Sequence, residues 1–116
     1  MNPIVRQYAN QRVSLIAQVG QFRLEQGLKG PIRLVRLVNV CLAEDTSEPL
    51  MDEYWCAVTA GMKALHLMEG DRISFSARVT LHRDAPGPRR FGQSSLLWNR
   101  VVTLDRPTQL KKITSA

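Results

Sequence analysis

Residues 70–82 read GDRISFSARVTLH. Ile73, Phe75, Ala77, Val79 and Leu81 fall on one side of an extended chain, and Arg72, Ser74, Ser76, Arg78, Thr80 and His82 fall on the other. Successive side chains of a strand point to opposite faces, so this run predicts a strand with one dry and one wet face. Gly70 marks a turn just before it.

The segment upstream, AGMKALHLMEG at 60–70, changes character. Ala, Met, Leu and Lys are good helix formers, and Met62 and Leu65 repeat at helical spacing. Thr59 can cap the start and Gly70 can stop the end, which predicts a short helix of two or three turns. Before it, three further strands are expected. Residues 12–24 alternate, with Val13, Leu15, Ala17 and Val19 on one face and Gly20 marking a bulge or a bend. QGLKGP at 26–31 is a turn, and the β-branched run 32–42 is a strand on which Arg33 and Arg36 take opposite faces. Residues 43–51 form an acidic loop, and DEYWCAVT at 52–59 is the third strand.

Downstream, RDAPGPRRFGQSS at 83–95 reads as a long loop, 96–104 as a fifth strand, and DRPTQLKKITSA as a basic tail. Leu110 and Ile113 in that tail are placed to tuck back onto the body. Residues 1–11 are an N-terminal tail or short helix, and 12–116 form a single domain, as expected for 116 residues.

Three strands, a short helix and two strands resemble the OB fold, an all-β, five-stranded barrel with one short helix between strands three and four. The segment from Leu67 to Val79 carries most of that resemblance, through its Gly70-Asp71 turn and the alternation that follows. The chain is also similar to small OB-like proteins carried by plasmids and other mobile elements. The motifs are Asp52-Glu-Tyr-Trp55, Gly70 to Val79, and Leu104-Asp-Arg-Pro-Thr108. The resemblance spans residues 12–113 and concerns how the barrel is built. No catalytic residue comes with it.

The formal net charge is +6, and all of it lies in the second half. Residues 1–58 hold six Lys/Arg against six Asp/Glu, whereas 59–116 hold ten against four. Arginine outnumbers lysine twelve to four, and a guanidinium offers phosphate a planar fork. An Arg-rich basic half is the footprint of a polyanion binder, although solubility alone can also produce it. The two cysteines, Cys41 and Cys56, sit in apolar segments and read as buried free thiols. No run approaches the roughly 20 apolar residues of a membrane helix. No signal peptide is legible, so the chain reads as soluble and cytoplasmic.

The OB resemblance implies a ligand surface across strands two and three and the loops joining strands one–two and four–five. The four–five loop offers Arg83, Arg89, Arg90 and Phe91. Cations for phosphates and a ring for bases are what single-stranded DNA or RNA binding needs. Arg72 and Arg78 lie on the wet face of the fourth strand. Trp98 shares its face with Arg100, which makes both candidates, although Trp98 and Trp55 also suit a core. One of Tyr54 and Trp55 must point outward, and Tyr54 is taken as the candidate base platform. Phe91 can equally fold back onto the barrel.

No phosphate-cradling loop, metalloprotease helix or nucleophile elbow is present, so the chain reads as a binding protein without catalysis, metal or cofactor. A different class of function is a protein-interaction adaptor or inhibitor. Its docking surface would be the acidic loop from Glu44 to Glu53, which carries five carboxylates. Acidic loop against basic half also leaves homo-oligomerisation open.

Overall fold

The alternating run forms β4, Arg72–Leu81, and Ile73, Phe75, Ala77 and Val79 along it are buried. The computed structural model describes residues 3–81 and 102–113. Within them, β1 spans Arg12–Gly27, β2 Gly30–Leu42, β3 Met51–Ala57 and β5 Val102–Ile113. Two single-turn helices accompany them, α1 at Pro3–Gln7 and α2 at Ala60–Ala64. The 83–95 loop with Arg83, Arg89, Arg90 and Phe91, together with Trp98 and Arg100, lies outside the described residues.

The five strands pair antiparallel in one sheet, in the order β3-β2-β1-β4-β5. The expected closed barrel is not formed: among the described residues no ladder joins the edge strands β3 and β5. The chemistry of β5 explains this. Pro107 has no N–H to donate. Arg106 and Gln109 adopt left-handed φ values of 51° and 55°. The ladder to β4 shifts register on either side of Ser76. The Leu104 N–H is taken by the Tyr54 hydroxyl at 2.9 Å. An edge broken in this way presents no regular row of donors to a neighbour. The two edges still approach through that bond, and Leu15, Leu37, Tyr54, Met62, Phe75 and Leu104 share one core.

β1 is longer than the sequence predicts. Its register with β2 shifts between Val19 and Phe22, so of the bulge or bend expected at Gly20 it is a bulge-like irregularity that forms. A Cβ on Gly20 would lie 3.1 Å from the Arg36 carbonyl, tighter than most side chains tolerate. β1 pairs with β4 only over Arg12–Gln18, and β2 meets β3 only from Leu34. Residues 23–32 therefore form a hairpin whose strands pair with each other alone, turning at Gly30 with φ 121°. Leu24 and Leu28 on it are exposed.

α2 is shorter than the sequence predicts. Thr59 caps it, accepting from the Met62 N–H at 3.2 Å. The stop comes at His66, with φ 51°, rather than at Gly70. His66 here fills the left-handed position that glycine usually holds past a helix end. Gly70, φ 98°, instead forms the turn into β4. The segment read as a basic tail is strand as far as Ile113, with Leu110 packed against the core. No helix among the described residues is long and apolar enough to cross a membrane.

Candidate nucleic-acid interface

Register gathers the outer face of β1, β4 and β5 into rows. Arg12 lies opposite Arg78, and Arg78 opposite Asp105. Like charges directly opposite across an antiparallel pair are destabilising, and Asp105 on the far side of Arg78 offsets part of that repulsion. The segment after α1 fixes its position. Asn10 donates to the Val79 carbonyl at 2.7 Å, and Val79 donates to the Gln11 carbonyl at 2.9 Å. Val5 of α1 is buried and anchors that end.

The Arg12 guanidinium is held from several sides. Nη1 donates to the Ser76 carbonyl, the Ser76 hydroxyl and the Thr108 hydroxyl at 3.2, 3.3 and 3.1 Å. Nη2 donates to the Arg106 carbonyl at 3.1 Å. A guanidinium fixed this way loses little freedom on meeting a ligand. Beside it, Arg78 and Arg106 are exposed, and their side chains take no hydrogen bond or ion pair among the described residues. Asp105, the one acid in this cluster, accepts from the Thr80 hydroxyl at 2.6 Å. Asn10, Arg12, Arg78, Thr80, Asp105 and Arg106 line an open polar cleft of about 560 Å³. Three guanidiniums against one carboxylate leave it cationic.

Arg78 is thus joined by two residues that the sequence did not single out, Arg12 and Arg106. Both signals were weak: Arg12 reads as the start of a strand and Arg106 as part of a tail. Arg72 is not brought to the cleft. It stands six residues along β4, about 20 Å away at roughly 3.3 Å per residue. There it lines a separate hollow of about 310 Å³ with Gln18, Asn39 and Thr46. Cys41 also lines that hollow, its thiol pushed above its ordinary pKa by burial while the Arg72 charge pulls the other way. Nor is the expected wet face of β4 open all the way between Arg72 and Arg78. Ser76 is buried, its hydroxyl taken by Arg12.

The platform on β3 is corrected as well. Tyr54 is buried, opposite Leu37, and its hydroxyl is engaged by Leu104. Trp55 is the ring on the outward face, half-buried and opposite Arg36. Arg36 is ion-paired to Glu53 at 2.7 Å, on the same face of β3 as Trp55. Arg33, on the other face of β2, lies over the Phe22 ring at 4.6 Å. No family model, curated protein or solved structure matches the chain.

Proposed function

We propose that the chain is a small nucleic-acid-binding module that engages single-stranded DNA or RNA through the outer face of β1, β4 and β5. The observation that carries this is the Arg12–Arg78–Arg106 cleft, with one arginine fixed by four hydrogen bonds and two others exposed. Phosphate oxygens would supply the negative charge this cleft lacks and acceptors for the Arg78 and Arg106 side chains. Trp55, the outward ring of β3, offers a ring for stacking, and the basic sequence of 83–95 offers further cations for phosphates. Five strands, a helix between the third and fourth, and edges approaching through Tyr54 and Leu104 support reading the fold as an OB-like barrel with an open seam. On this reading the protein binds without catalysis, and the resemblance noted in the sequence would place it on a mobile element.

The test is a salt titration of binding to labelled single-stranded and duplex oligonucleotides. Tighter binding of the single strand, falling linearly in log–log form with salt, supports the module. Equal or tighter binding of duplex contradicts the single-strand preference.

One observation favours a second reading, a protein-docking surface at the acidic loop. Glu44, Asp45, Glu48 and Asp52 are all exposed, and Asp45 is ordered by accepting from the Ser47 amide and hydroxyl at 3.1 and 2.5 Å. A protein that ignores oligonucleotides yet retains a basic protein partner through this loop would fit that reading instead.

A further inference from the structure

Asp105 and Arg106 line two openings. On the outer face lies the cationic cleft with Arg12 and Arg78. On the core side, between the edges of β3 and β5, lies an apolar slot of about 230 Å³ walled by Tyr54, Cys56, Met62, Phe75, Leu104 and Pro107. Among the described residues no ladder joins the two edges at the slot. It is no packing flaw of ordinary size, since a cavity of about 150 Å³ with apolar walls already holds a benzene ring. A small apolar pocket with polar groups at its rim is the usual form of a ligand site. Arg106 links the two, because its backbone turns through a left-handed φ of 51° while its carbonyl holds Arg12.

We propose that this ridge is a single-nucleotide subsite, with a phosphate in the Arg12–Arg78–Arg106 cleft and the attached heteroaromatic base in the slot between β3 and β5. The inference rests on the single-strand reading above and adds to it a base pocket distinct from any surface stacking ring. An unpaired nucleotide can turn its base out of a strand and into such a slot, whereas a duplex base is held in its stack. Charge alone would capture the phosphate. The slot is what would make the site prefer a nucleotide to a bare phosphate.

Cys56 is half-buried and lines the slot, so its alkylation by iodoacetamide reports occupancy, with buried Cys41 as an internal control. At a single-stranded oligonucleotide concentration about ten times Kd, mass action predicts that Cys56 alkylation slows about tenfold. An abasic strand of equal length, or inorganic phosphate, should leave the rate within about twofold of the free protein, because neither fills the slot. Arg78→Ala should need more oligonucleotide for the same protection, and a mononucleotide should protect more weakly than a strand. Cys56→Leu, which fills the slot from its half-exposed side, should lower affinity for the base-bearing strand and not for the abasic one. This decides the matter if the thiol reacts slowly. Oligonucleotide that binds by anisotropy without protecting Cys56, and with equal affinity for Cys56→Leu, overturns the subsite and leaves the broader reading standing. Abasic strand protecting as well as the base-bearing one also overturns the base slot. No binding of any oligonucleotide overturns both.

Discussion

The Tyr54 hydroxyl accepts the Leu104 N–H at 2.9 Å, and that bond joins the two edges of the sheet. Leu104 is buried, so its amide has no water to turn to if the hydroxyl is removed. Leaving a buried donor unmade costs about 1–3 kcal/mol. Tyr54→Phe should therefore lower the urea-unfolding free energy by that amount with little change in the ring's packing. A loss under about 0.5 kcal/mol would mean that the seam is held by other contacts.

Phe75 lies at the centre of β4's inward face, 4% exposed. Phe75→Ala removes its burial and leaves a cavity, at a cost of about 3–5 kcal/mol. Denaturant titration checks this. A cost below about 1 kcal/mol would mean that β4 presents its other face to the core.

Asp71 ties the turn before β4 to the neighbouring strand. Its Oδ2 accepts from the Met68 N–H at 2.8 Å and lies 3.3 Å from the Lys112 ammonium. The Met68 hydrogen bond holds the carboxyl below the usual range, against a smaller opposing effect of burial, and the nearby Lys112 ammonium adds a lesser lowering. A group whose pKa is lowered by folding stabilises the fold above its unfolded value, near 3.9, and stops doing so as pH falls through the folded value. The melting temperature should accordingly fall with acid below about pH 4. Asp71→Asn should show a shallower fall over that window. An unchanged acid dependence would mean that other carboxylates carry it.

Arg89, Arg90 and Phe91 should divide their labour on a single strand. Replacing both arginines with Ala should weaken binding alike for all sequences and flatten the log–log salt slope by up to about 0.7 per lost contact. Phe91→Ala should weaken affinity with the slope nearly unchanged, because stacking releases no counterions. A folded double-arginine variant with wild-type affinity and slope removes that segment from the interface.

How far the sequence discloses the molecule depends on whether local pattern or long-range pairing decides each residue. β4 is legible because its alternation is unbroken, and Thr59 because a cap acts within its own helix. β5 is not. Pro107 and the left-handed Arg106 and Gln109 interrupt its pattern, and only pairing with β4 reveals it as strand. The cleft is hidden for the same reason. Arg12 and Arg78 are 66 positions apart, and nothing local states that they face each other. Between Tyr54 and Trp55, alternation shows that one ring points inward without showing which. The register opposite Leu37 settles it.

The most direct measurement is the salt dependence of binding to one labelled single-stranded oligonucleotide, for wild type beside Arg78→Ala. Arg78 is exposed and takes no partner among the described residues, so its removal should leave the fold intact. The cleft predicts measurable wild-type binding at about 50 mM salt, where phosphate contacts are strongest. It also predicts a variant with lower affinity and a slope reduced by up to about 0.7. Identical affinity and slope in the two proteins, or no wild-type binding at that salt, would contradict it.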